Sequence, residues 1–111
     1  GGVVFAHYFV SGVMGRPISG ISPAASLLAK QSHSCVQGHI HTLDYAQKTR
    51  VDGRKLNAVV CGWYGDFEEE WAGPQVNALW EAGILVLRDV KDGEFGGMEW
   101  VNIGRIQRRY R

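Results

Sequence analysis

The chain has 111 residues, enough for one domain with a modest core. Its hydrophobic share of 45%, with four Trp, four Tyr and four Phe, excludes an intrinsically disordered segment. A net charge of +1 excludes strong field-driven attraction to nucleic acid or membrane, and no apolar run reaches the length of a membrane span. Two cysteines, Cys35 and Cys61, are too few for a disulfide framework and sit in apolar runs. They read as small core residues in a reducing compartment. No basic-then-apolar signal segment opens the sequence, and residue 1 reads as a fragment boundary, since a natural domain more often starts on polar residues.

In chain order, residues 2 to 7 read as a short apolar strand ending at His7. Gly12, Gly15, Pro17 and Gly20 break residues 8 to 21 into a loop. Ser22 then stands as an N-cap ahead of Pro23 in the first turn of a helix running from Ala24 to Gln31. Residues 34 to 37 give a second short strand, followed by Gly38-His39-Ile40-His41 and a polar loop containing Asp44, Tyr45 and Gln47. Asp52-Gly53 signals a tight turn between a short strand near Thr49 to Val51 and a longer one from Lys55 to Cys61.

Residues 62 to 74 read as an aromatic and acidic loop, and 75 to 80 as a short helical turn. Ile84 to Val90 and Met98 to Ile103 form a hairpin around the turn 91 to 97, and the arginine-rich end reads as a solvated terminus. Strand, loop, helix and strand followed by several more strands predict a single layered α/β domain, residues 1 to 111, with a mixed β-sheet and few helices. The first two strands are apolar throughout, as expected of a sheet covered on both faces.

The chemistry-bearing residues collect where such folds place function. His7 ends one strand, and His39 and His41 follow another; loops at the carboxyl ends of strands open a crevice there. Histidines at i and i+2 on extended backbone point to one side, and Gly38 lets the chain turn as it leaves the strand. Neutral imidazole is the commonest ligand for zinc and similar ions, so His7, His39 and His41 are candidate metal ligands. His33 sits near a helix end, where a cationic imidazole suits the helix dipole, and is read as structural. Glu68, Glu69 and Glu70 read as a solvated face. Arg105, Arg108, Arg109 and Arg111 beside Tyr110 offer a second, phosphate-gripping reading of the tail. No nucleophile elbow, P-loop or CxxC pattern occurs, and no residue is assigned a catalytic role.

Gly38-His39-Ile40-His41 resembles the G-H-x-H motif of calcineurin-like metallophosphoesterases, and Phe5-Ala6-His7 resembles the strand-end histidine motif that precedes it. The surrounding residues, Ala6 to Phe9, Ser11 to Arg16 and Ser34 to His39, are similar to the phage-encoded branch of that family. The likeness covers most of residues 3 to 62. It implies the second half of the family's βαβ sandwich, located in the cytoplasm of a bacterial host or encoded by a phage. It also implies two divalent ions (Mn, Zn or Fe) with His7 and His39 on one and His41 on the other. Such a pair of cations clamps a phosphoester and supplies hydroxide near neutral pH. Asp44 and Tyr8 are candidates to orient the imidazoles, or else ordinary loop residues.

The family's upstream motifs, D-x-H, G-D-x-x-D and G-N-H-D/E, do not precede His7. Gly65-Asp66 matches part of the second but lies after His41. The chain therefore reads as the C-terminal portion of a phosphomono- or phosphodiesterase, incomplete by itself, with weak or partial metal binding. A separate N-terminal half or a second copy is the partner that would complete it. Two alternatives remain at this level. One is a non-catalytic, phage-derived remnant that binds protein or nucleic acid. The other is a mononuclear centre of the three histidines with an open position for water.

Overall fold

The computed structural model describes residues 2–10, 14–16, 18, 22–64, 73 and 80–110, apart from the side chain of Tyr110. Four strands make a mixed sheet: β1 (Val4–Ala6), β2 (Cys35–Gln37), β3 (Leu43–Thr49) and β4 (Lys55–Cys61), in the order β1-β2-β4-β3. β1, β2 and β4 run parallel, with Val4 opposite Cys35 and Cys35 opposite Ala58. β3 returns antiparallel along β4, Leu43 opposite Cys61 and Thr49 opposite Lys55. A separate hairpin pairs β5 (Gly83–Arg88) with β6 (Gly97–Asn102), and two helices, α1 (Pro23–Lys30) and α2 (Ile103–Tyr110), complete the described elements. The layered α/β class expected from the element order is observed.

The core lies between α1 and one face of the sheet. Ala24 and Leu27 of α1 pack with Cys35, Ala58, Val60 and the loop residue Ile18, all of them buried. Leu28, Ala46, Phe9 and Ile40 close the margins. Burying Leu27 and the two β4 residues removes apolar surface from water at roughly 25 cal/mol per Å², which offsets the entropy of ordering a short helix that would be marginal alone.

Four expectations need correction. Residues 43 to 49 are a full strand where a polar loop with a short strand at 49 to 51 was expected. β3 is an edge strand whose Leu43, Tyr45 and Gln47 face outward, while Asp44 and Ala46 are half-buried on the α1 side, so its polar surface masked the period of two. Ser22 makes no side-chain cap of α1. The orphan N–H of Ala24 donates instead to Asp44 Oδ2 at 3.1 Å, so a carboxylate from β3 caps the helix and complements its dipole. The tail is a helix, because Asn102 Oδ1 accepts the Gly104 N–H at 2.7 Å and starts it as an N-cap. Finally, β1 is not sheltered: Phe5 is 64% and Val4 42% exposed, while β2 is buried throughout. The expected helical turn at 75 to 80, most of the 62 to 74 loop and the acidic run lie outside the described residues.

Candidate functional site

β1 and β2 are adjacent and parallel, so their carboxyl ends meet at one edge of the sheet. The His7 carbonyl accepts the Gly38 N–H at 3.1 Å, which continues the pairing past the last ladder position. His7 and His39 thereby face each other, with His7 Nε2 3.0 Å from His39 Nδ1 and ring centroids 5.0 Å apart. One nitrogen must donate and the other accept, so the two tautomers are coupled. The Tyr8 ring lies 5.3 Å from His39 and walls one side of the pair.

The backbone under these residues is strained. His39 has φ +67° and His41 φ +70°. The Ile40 N–H bonds the Gly38 carbonyl at 2.7 Å, closing a three-residue turn around His39. A γ-turn with positive φ at its centre is the rare hand, and a side chain held there costs of order 1–3 kcal/mol. Two such positions in three residues turn the chain through a tight bend, not along an extended strand. This is the physical reason why the i, i+2 argument for a shared direction does not apply.

His41 occupies a different environment. Its ring stacks on Trp63 with centroids 4.9 Å apart and planes 11° from parallel, and it meets the Trp80 ring edge-on at 4.4 Å. The His41 carbonyl accepts the Glu81 N–H at 2.9 Å, tying this bend to the residues that lead into β5. Among the described residues, no group of three or more His, Cys, Asp or Glu is placed to hold a metal ion. What the chain does assemble is a pair. With metal–nitrogen bonds of about 2.1 Å, two imidazole nitrogens on one ion sit about 3.0–3.4 Å apart, and the His7–His39 spacing matches the lower end. As a donor set, the pair fits half of one ion's shell.

The remaining candidates have structural partners. Asp44 caps α1, and its other oxygen accepts the Tyr45 N–H at 3.0 Å. His33 lies beyond the end of α1, where its Nδ1 is 3.3 Å from the Ser34 carbonyl. Gln37 was not singled out in the sequence, yet it determines where the loop after His7 goes. Fully buried, it accepts the Phe9 N–H through Oε1 at 3.0 Å and donates through Nε2 to the Ile18 carbonyl at 3.3 Å. The only sequence signal was an amide in an otherwise apolar strand. A 730 Å³ cleft lined by Gln47, Lys55, Asn57, Asp89, Lys91 and Glu94 lies at the amino end of β4, away from the histidines.

Cys35 and Cys61 are free thiols. Burial pushes the Cys35 thiol up to about 11 and raises Cys61 as well. A thiol that titrates near 8.5 when unfolded and near 11 when folded contributes stability that is complete below about pH 8.5 and lost as pH rises toward 11. Urea unfolding at pH 8 and pH 10.5 is expected to show a fall in stability that is smaller in Cys35→Ala. Equal falls in both proteins would assign the alkaline loss elsewhere.

No protein family, curated protein or solved structure matches the chain. Among the described residues, no helix is long and apolar enough to cross a membrane.

Proposed function

We propose that this chain is the C-terminal portion of a calcineurin-like metallophosphoesterase domain, which hydrolyses phosphomono- or phosphodiesters when complete. The observation that carries the reading is the 3.0 Å approach of His7 to His39 from neighbouring parallel strands, within a G-H-x-H sequence. His7 and His39 are the proposed ligands of one divalent ion, Mn, Zn or Fe. His41 is the proposed ligand of a second, with Trp63 and Trp80 fixing its ring plane. The bound ions would lower the pKa of the attacking water and neutralise phosphate charge.

The shape of the domain supports an incomplete layer. Its Cα envelope measures 44 × 37 × 17 Å, whereas helices on both faces of a sheet need about 25 Å. The radius of gyration, 14.9 Å, exceeds the roughly 13 Å of a compact globule of this length. Among the described residues, β1 pairs on one side only, and Phe5 beside that open edge is largely exposed. The proposed occupant of the edge is the upstream half with the missing aspartates and asparagine.

Two imidazoles without a carboxylate leave an ion under-coordinated, so calorimetry on the 111-residue chain is expected to show weak Mn²⁺ or Zn²⁺ binding, weaker still in His39→Ala. The chain alone is expected to hydrolyse bis(p-nitrophenyl) phosphate no faster than His39→Ala. Adding the upstream half should restore metal-dependent turnover, which His39→Ala removes. Metal-dependent turnover by the chain alone, lost in His39→Ala, would overturn the incompleteness. A completed protein with no turnover and no metal uptake would overturn the assignment to this enzyme class.

A further inference from the structure

The 730 Å³ cleft at the amino end of β4 has side-chain amides in its floor. Gln47 of β3 and Asn57 of β4 are cross-strand partners. The Tyr45 hydroxyl donates to Asn57 Oδ1 at 2.7 Å, and Gln47 Nε2 donates to the same oxygen at 2.9 Å. Both acceptor positions of that oxygen are taken, so the amide is held in one orientation. Asn57 is 2% exposed and lines the cleft, yet among the described residues its Nδ2 has no acceptor. A buried donor of this kind takes its acceptor oxygen from a molecule outside the chain. The opposite wall is the turn of the β5–β6 hairpin, which is joined to β4 where the Lys55 N–H donates to Glu94 Oε1 at 2.8 Å.

We propose that this cleft binds a neutral oligosaccharide. Arg54, Lys55 and Lys91 line it together with Asp89, Asp92 and Glu94, three cations against three carboxylates, so no net field selects an ion. A phosphate drawn to the cations would meet the carboxylates as well. A hydroxyl both donates and accepts, so every group on these walls can serve it. Sugar hydroxyls accept from Asn57 Nδ2 and Lys91 and donate to Asp89 and Asp92. Half-buried Phe95 adds a ring whose electron-rich face suits the C–H groups of a sugar ring. A peptide matches less well. The main-chain N–H groups at Lys55, Asn57, Lys91 and Glu94 already have acceptors, so an extended peptide finds no ladder on these walls. The volume lies within the roughly 300–1,000 Å³ of clefts that hold drug-sized molecules, which suits a sugar of about two or three units. The inference is independent of metal binding, because none of these residues belongs to the histidine pair.

The test is NMR titration of the isotope-labelled chain with maltotriose, cellotriose and chitotriose, following the side-chain amide signals of Asn57 and Gln47. At least one of these sugars is expected to shift the Asn57 signal saturably, with an affinity unchanged by salt because the ligand is neutral. Asn57→Asp keeps the acceptor for Tyr45 and Gln47 but removes the donor, and should weaken binding about tenfold or more. Phe95→Ala, checked for folding by circular dichroism, should weaken it about tenfold and carries the test if Asn57→Asp does not fold. His39→Ala should bind like wild type, which separates this site from the phosphoesterase reading. No saturable shift with any of the three sugars would overturn the proposal. So would tighter binding of triglycine or adenosine monophosphate than of every sugar, which would assign the cleft to a peptide or a nucleotide.

Discussion

Gly62→Ala is expected to destabilise the domain by about 3 kcal/mol or more, a large fraction of the roughly 5–15 kcal/mol that keeps a domain folded. Gly62 joins β4 to the segment that runs to β5, and its backbone has φ +66°. A side chain in that conformation costs about 1–2 kcal/mol by itself. The added Cβ would also stand 2.3 Å from the Glu81 carbonyl oxygen and 2.9 Å from the Trp100 ring. Neither neighbour has an easy retreat. The Glu81 carbonyl accepts the Trp63 N–H at 3.0 Å, and Gly62 itself is held by the Thr42 carbonyl at 2.9 Å. Gly53, with φ +86° and nothing near its would-be Cβ, provides the control. Gly53→Ala should cost only the conformational part, about 1 kcal/mol. Urea unfolding of the two variants separates strain from collision, and equal losses would show that Glu81 and Trp100 yield.

Gln37→Leu is expected to cost about 2–4 kcal/mol although it places a larger apolar surface in an apolar site. The amide side chain satisfies the Phe9 N–H and the Ile18 carbonyl from inside the sheet. Leucine leaves both groups desolvated without partners, at about 1–3 kcal/mol each where burial is complete. Phe9 follows His7 by two residues, so the same substitution loosens the backbone that aims the imidazole. Urea unfolding, with histidine ring signals followed by NMR, should show lower stability together with a changed His7 environment. A loss under about 0.5 kcal/mol would mean that the loop is held by its own turn, Ile18 N–H to the Phe9 carbonyl at 2.8 Å.

The elements legible in the sequence were those whose patterns are local. Helix α1 announced itself through Pro23 and the apolar spacing of Ala24, Leu27 and Leu28. The β5–β6 hairpin was visible because a glycine-containing turn separates two apolar runs. What escaped depends on partners distant in sequence. β3 reads as polar because an edge strand need bury only one row of side chains. The cap of α1 could not be found beside it, since Asp44 arrives from twenty residues away. The Asn102 cap of α2 was a local signal, obscured by the run of arginines behind it. For the site, the sequence carried the pairing of His7 with His39, because strand ends of adjacent parallel strands meet. It did not carry the placement of His41, which depends on two positive φ angles and on Trp63 and Trp80 closing around its ring.

Among the described residues β1 pairs on one side only, which bears on when the histidine pair exists at all. Some 28 residues separate Ala6 from Cys35, whereas β3 and β4 are neighbours in sequence and close their register through a turn of a few residues. Loop-closure entropy therefore favours the β3–β4 hairpin early and the docking of β1 last. A three-residue strand held along one edge also releases at a fraction of the free energy of global unfolding. Amide exchange is accordingly expected to be faster at Val4 and Ala6 than at Val59 or Val60, and equal protection would show β1 to be part of the cooperative core. Any release of β1 would carry His7 away from His39, so the pair lasts only as long as β1 stays docked. Any ion or protein segment that engages both imidazoles must supply the free energy of holding β1 in place.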